Sequence, residues 1–274
     1  MNSFRNQLLL FFILCISGTI YAQKGVKVYT EQTKEGFAVY ADNPEHCIVT
    51  VVIDFQLKNI KLEGSGQATF LLNKNSKKTL LTTAASLDKF KPSKFGYTYS
   101  YSLGDANKSD FDTDFAYALP FEKGASFTLH QGYNGSFSHQ NENALDFTMP
   151  VSTPITAVRD GIVVAIVENN VLACPKKECA KYNNYVTIFH SDGTFAEYAH
   201  LKRNGVLPKL GDAVTAGEVI ALSGNTGYSS GPHLHLIIYL QKSKKRETLP
   251  TLFKVNDGTT TTLLKEKETY SKAY

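Results

Sequence analysis

The sequence predicts an all-β protein: an N-terminal β-sandwich of immunoglobulin-like type, followed by an antiparallel β-sheet domain that carries the chemistry. Short β-branched and aromatic runs recur along the chain, separated by Gly, Asn, Asp and Pro. No stretch shows the 3.6-residue hydrophobic period of an amphipathic helix. The 274 residues are 42% hydrophobic and 20% charged, enough apolar material for one large or two small cores. The formal net charge of +4 is modest, and nothing resembles a nucleic-acid-binding module. The one basic cluster, Lys242, Lys244, Lys245 and Arg246, reads as a solvated face, with contact to an anionic polymer as the competing reading.

Taken in order, residues 1–22 read as a secretory signal. Arg5 precedes the apolar run 8–16, and Thr19, Ile20, Tyr21 and Ala22 frame a cleavage point after Ala22. The run is too short to span a membrane, and no later stretch is long and apolar enough. Export predicts a periplasmic or secreted protein. Cys15 lies within the run and is removed with it. Residues 23–108 form the sandwich, an accessory domain with strands near 26–29, 36–40, 47–55, 68–72 and 97–103, and turns at 42–44 and 63–66. No cluster of titratable groups appears there. The polar, acidic stretch around 105–114 predicts a linker over 109–118. The second domain spans 119–245, and 246–274 is a C-terminal extension. Within the second domain, Arg159-Asp160-Gly161 and Asp192-Gly193 each sit between two strand-like runs and signal hairpins.

Three cysteines remain after export: Cys47, Cys174 and Cys179. An exported protein permits disulfides. Cys174 and Cys179 bracket a polar loop and suit a local disulfide, with a zinc clip as the competing reading. Cys47, beside an apolar run, is expected to be a buried free thiol.

The chemistry lies in the histidines. In His233-Leu234-His235 the two imidazoles share one face of a strand while Leu234 points into packing. Pro232 fixes the entry to that strand, and Gly231 is expected to permit a sharp turn. His139 closes a Gly/Ser/Asn-rich loop, and Asp146 stands between Leu145 and Phe147, where a carboxylate needs a cation or hydrogen bonds. Two His and one Asp make a three-ligand set that leaves a coordination position for water. The alternatives for these residues taken singly are packed or surface histidines and a capping carboxylate. His200 reads on its own as a half-buried strand histidine, and His190 as a surface turn residue. His46 and His130 have no partner signals.

The segments SHQNENALDFTMPVSTPITAVRDGIVV, YAHL, GDAVTAGEVIALSGNTG and GPHLHL together resemble the M23 family of zinc endopeptidases, the lysostaphin-type or LytM-type domain, over about residues 119–240. The resemblance implies a LytM-like fold with zinc on His139, Asp146 and His235. It implies that His233 is the general base, that His200 positions water or stabilises an oxyanion, and that Tyr133 assists the transition state. The implied partners are the stem peptides or cross-bridges of bacterial peptidoglycan. One departure stands out. Six residues, from Gln140 to Leu145, separate His139 from Asp146, where the commonest family spacing is shorter. We read an expanded loop, with Glu142 a loop residue and not the ligand. Some members of the family have lost ligands and act as non-catalytic wall-binding or hydrolase-regulating proteins. The complete residue set here argues for an enzyme. GDAVTAGEVIA also resembles a lipoyl-type carrier strand pattern, but no lysine follows at a hairpin tip.

Overall fold

The computed structural model describes residues 25–63, 68–243 and 245–274. The signal sequence expected over residues 1–22, the turn residues Gly64, Ser65 and Gly66, and Lys244 lie outside them.

The first seven strands are β1 Lys27–Gln32, β2 Gly36–Asn43, β3 Val49–Lys58, β4 Ile60–Leu62, β5 Thr69–Leu72, β6 Ser76–Ser86 and β7 Lys94–Leu103. They form two antiparallel sheets, ordered β1-β2-β6-β4 and β5-β3-β7. Val28, Val39 and Ala41 from the first sheet meet Val49, Val51, Ile53 and Leu72 from the second in one buried cluster. The period-2 alternation of β3 supplies that core directly. A β-sandwich is therefore present. Its strand order is not that of an immunoglobulin constant domain, in which the fifth strand, not the sixth, lies beside the second, so the immunoglobulin-like label is not kept.

The remaining strands begin with β8 Ala116–Tyr117, β9 Ser126–Gln131, β10 Ala144–Thr148, β11 Pro154–Thr156, β12 Gly161–Val167 and β13 Ala173–Cys174. β14 Tyr185–Phe189, β15 Phe195–Ala199, β16 Leu201–Val206, β17 Ala213–Val214, β18 Val219–Ser223, β19 Gly227–Tyr228 and β20 His233–Gln241 follow. The chain ends with β21 Arg246–Thr248, β22 Leu252–Val255, β23 Thr260–Leu263 and β24 Thr269–Ser271. A nine-stranded antiparallel sheet runs β17-β12-β14-β15-β20-β10-β9-β24, with β21 paired to β20. The C-terminal residues are thus woven into the main sheet through β21 and β24. Among the described residues the only helix is a 3₁₀ turn, Lys177–Tyr182, and no helix is long and apolar enough to cross a membrane.

β14 and β15 pair around Asp192-Gly193, with Gly193 at φ 90°. The hairpin expected at Arg159-Asp160-Gly161 does not form. β11 pairs with β18, while β12 pairs with β14 and β17. Gly161 lacks the positive φ that a tight two-residue hairpin requires. The corner is held instead by side chains: Arg159 Nη1 lies 2.7 Å from Asp192 Oδ2, and Asp160 Oδ1 accepts the Ala216 N–H at 2.7 Å.

β20 organises the molecule. Leu234, Leu236, Ile238 and Leu240 on its even face are 0–2% exposed and enter the main core with Phe121, Phe147 and Tyr198. Each such side chain contributes about 1.5–3 kcal/mol on burial. The odd face bears His233, His235, Ile237 and Tyr239. Its far end is covered: Ile237 and Tyr239, with Phe195, Ala144 and Val164, pack against Cys47 and Leu103 of the sandwich. The sandwich therefore caps one end of the sheet face whose other end carries the histidines.

Candidate metal centre

An open groove of about 770 Å³ crosses that odd face, and His139, Asp146, His200, His233 and His235 line it. Antiparallel pairing sets Asp146 on β10 directly opposite His235 on β20, and Thr148 opposite His233. Directly opposed residues have Cβ atoms ~4.5–5.5 Å apart, so the register alone brings carboxylate and imidazole together. His139 arrives from the loop after β9. It is 1% exposed, and its Nε2 lies 3.1 Å from Asp146 Oδ2. His235 Nδ1 lies 2.8 Å from Asp146 Oδ1. One ligand atom from each of the three residues falls within 4.8 Å of the others.

The donor set fits a divalent cation. His139 Nδ1 lies 3.0 Å from the Gly132 carbonyl. A carbonyl only accepts, so Nδ1 carries the proton and Nε2 is left with a bare lone pair. That Nε2 is buried and, among the described residues, lacks a partner in hydrogen-bond geometry despite its closeness to Asp146. An orphaned buried nitrogen beside a carboxylate and a second imidazole is the arrangement that a metal satisfies. Burial pushes the Asp146 carboxyl up, but its contacts with His139 and His235 outweigh this and hold it well below the usual carboxylate range.

Gln131, which the sequence did not single out, ties this set together. It is 5% exposed and lies opposite Asp146 in the sheet. Its amide donates to Asp146 Oδ2 at 3.0 Å, and its Oε1 accepts the N–H groups of Phe137 and Ser138 at 3.1 and 3.0 Å. One side chain thus couples the loop bearing His139 to the strand bearing Asp146. The expanded loop between these ligands turns at Asn141, φ 60°.

His200 and His233 face the ligands with ring centroids 4.5 Å apart. His200 Nδ1 is 2.7 Å from the Thr226 carbonyl, and His233 Nδ1 is 2.8 Å from the Gly231 carbonyl. Both rings therefore present unprotonated Nε2 atoms. Burial, followed by the charges of His235 and His233, pushes His200 down to about 3. Burial also lowers His233. His200 sits at φ 62° between β15 and β16, a left-handed conformation that costs a non-glycine residue about 1 kcal/mol or more. Gly231, expected to supply a sharp turn, has no positive φ and open space where a Cβ would stand. Its contribution is the carbonyl that orients His233.

The structure does not bring Tyr133 to the groove. Its hydroxyl donates to the Thr251 carbonyl at 3.1 Å and accepts the Thr251 N–H at 3.2 Å, and the ring packs on the main core. Thr251, just before β22, captures it, so the spacing to His139 does not translate into proximity. His190 is not a surface residue either. It is 0% exposed, with Nδ1 2.9 Å from the Asp160 carbonyl. Arg246, read as part of a solvated basic cluster, lines the groove and meets Glu197 at 2.8 Å. Cys174 and Cys179 form a disulfide at one wall of the groove, and Cys47 is a buried free thiol.

Residues 140–247 match the family model described as peptidase family M23. They include Asp146, His200, His233 and His235, and His139 stands one residue before them. This segment is a peptidase family M23 domain. Over 116 residues, 41% of this chain and 28% of the relative, it is 39% identical to an uncharacterised metalloprotease of Buchnera aphidicola. It is 41% identical over 93 residues to the peptidoglycan DD-endopeptidase ShyA of Vibrio cholerae, covering 34% of this chain and 19% of that one. It is 36% identical over 110 residues to the glycyl-glycine endopeptidase ALE-1 of Staphylococcus capitis, covering 38% and 25%. The chain thus spans less than a third of the length of these curated relatives. The matched segment, which contains β20, holds Asp146, His200, His233 and His235, while His139, Gln131 and the Gly132 carbonyl stand before it.

Proposed function

We propose that the chain is an exported zinc-dependent endopeptidase that hydrolyses peptide cross-links of bacterial peptidoglycan. The observation that carries the proposal is the grouping of His139, Asp146 and His235 within 4.8 Å on the floor of an open groove, faced by two further histidines. The M23 match and the relatives' printed activities support the substrate class. Residues 1–22 are proposed as the leader that exports the chain.

His139, Asp146 and His235 would hold the metal, and two imidazoles with one carboxylate suit zinc. When bound, zinc lowers the pKa of a water towards ~7 and polarises a scissile carbonyl. His233 shares a strand face with His235 and points an unprotonated Nε2 into the groove. We assign it the proton of the attacking water, which it then passes to the leaving amine. His200 presents a second acceptor beside it and is assigned the orientation of that water. No Ser or Cys nucleophile is required. Tyr133 receives no role.

The test is to digest purified sacculi of defined cross-link type with the full metal-loaded protein and identify the released ends by mass spectrometry. New amino and carboxyl termini at cross-links are the expected result. Intact cross-links in every wall type, with a protein substrate cut instead, would end the peptidoglycan assignment.

A further inference from the structure

On the same sheet face, one strand repeat beyond the ligands, stands a charged pair that the metal chemistry does not use. Glu197 lies opposite Ile237, two residues from Ala199, which lies opposite His235. Two residues along a strand are about 7 Å, roughly the span from a scissile bond to the end of a neighbouring side chain. The Glu197 side chain is 14% exposed, and Arg246 on the adjoining β21 contacts it through Nη1 to Oε2 at 2.8 Å. The guanidinium lies over the Tyr239 ring, 5.1 Å from its centroid. Both residues line the groove.

This pair is poorly explained as a device for stability. With Arg246 partly exposed, water screens the attraction, and a single ion pair of this kind contributes little net stability. It is better explained as unfinished recognition. Among the described residues neither side chain has a second polar partner in hydrogen-bond or ion-pair contact, and the Arg246 side chain, which lines the groove, remains 44% exposed. Glu142, also on the groove wall, adds a second carboxylate near the guanidinium. The floor therefore offers acceptors for an ammonium and a fork of donors for a carboxylate, side by side.

We propose that Glu197 and Arg246 are specificity-determining residues that read a substrate side chain ending in both an ammonium and a carboxylate, the head group of an α-amino acid. The inference rests on the peptidase reading of the groove and names its substrate class: a stem peptide carrying a zwitterionic side-chain end beside the scissile bond. A bridge made of glycine alone has no side chain to place there.

The experiment measures equilibrium binding by calorimetry to the full metal-loaded chain. The probes are four matched short peptides whose side chain ends in the zwitterionic head, its N-acetylated form, its carboxamide form, or an uncharged alkyl group. The wild type is expected to bind the zwitterionic peptide about tenfold or more tightly than any of the other three, the scale of a lost charged hydrogen bond. E197Q should erase the penalty for acetylating the amine, and R246Q the penalty for blocking the carboxylate. Equal affinities of the wild type for all four peptides would overturn the proposal without recourse to any variant. So would variants that weaken all four alike, which is what a purely structural pair would do. If the wild type shows the preference yet cleaves none of the peptides, the peptidase reading fails while this assignment stands.

Discussion

The imidazole nitrogens decide the centre. His139, His200 and His233 each commit Nδ1–H to a backbone carbonyl, of Gly132, Thr226 and Gly231 respectively. Each therefore turns a bare Nε2 into the groove: that of His139 is proposed to bind metal, that of His233 to take a proton, and that of His200 to orient water. The His233/His235 pair and its Asp were legible because a strand's period of two places alternate residues on one face. The carbonyl partners were not, since they belong to loops up to 26 residues away. Gln131 escaped notice because an amide at a strand end carries no signal until its register against Asp146 is known. Gln131→Ala should lower metal affinity about 10- to 100-fold, the usual effect of losing a group that orients a ligand. Competition with a chelator would read this, and unchanged affinity would refute it. His190 makes a prediction about stability. Burial pushes it down to about 4, below the ~6.5 of an unfolded chain. The unfolded state therefore takes up the proton first as pH falls. The contribution of neutral His190 is complete above 6.5 and is lost between 6.5 and 4, about 3 kcal/mol in all. The stability difference between the wild type and His190→Leu, followed by urea unfolding, should shrink by that amount from pH 7 to 4. A difference independent of pH would contradict it.

Among the elements, the apolar strands were legible and the polar ones were not. β3 alternates between apolar and polar residues, and β20 does so over His233–Leu236 before becoming apolar on both faces. β6, Ser76–Ser86, is the longest strand of the sandwich, yet Ser, Lys and Thr occupy most of its positions and only two of its residues are buried. Its place was fixed by pairing with β2 and β4, which no local pattern reveals. The false hairpin at 159–161 has the complementary cause: a turn signal was present, but Arg159 and Asp160 are occupied in bracing a corner between sheets. The disulfide loop was readable in part. Cys174 and Cys179 lie 5.9 Å apart at Cα and tie β13 to the 3₁₀ turn Lys177–Tyr182, whose Lys177 and Ala180 line the groove. Replacing both with serine should lower stability by about 2 kcal/mol, the chain-entropy value for so short a loop. Thiol titration of the protein lacking residues 1–22 should find one thiol, Cys47, and only after unfolding, because burial makes it inaccessible and pushes it up to about 12. Three reactive thiols without reductant would contradict the pairing.

At the scale of the whole molecule, the sandwich and the M23 sheet share one packed seam. The sequence distinguishes the two regions by texture, but the seam between them is invisible there, because Cys47, Leu103, Phe195 and Tyr239 come from four distant segments. Gly104 sits at its centre with φ 85°, and a Cβ there would stand 2.8 Å from the Phe195 ring. Gly104→Ala combines a backbone conformation unfavourable to alanine with overpacking, and should cost more than about 1 kcal/mol. Hydrogen exchange should show protection falling in both regions together. A loss confined to the sandwich would mean that the seam does not couple them.

The central claim is that three residues hold a metal while a fourth, on the same strand face, moves the proton. It is tested by measuring zinc content and turnover of a cross-linked stem peptide in parallel for the wild type, His233→Ala and His235→Ala. His235→Ala should lose both metal and activity. His233→Ala should keep its zinc and lose about 10²-fold or more in turnover, the scale of a positioned base. Full zinc occupancy in His235→Ala, or near-normal turnover in zinc-loaded His233→Ala, would contradict the account.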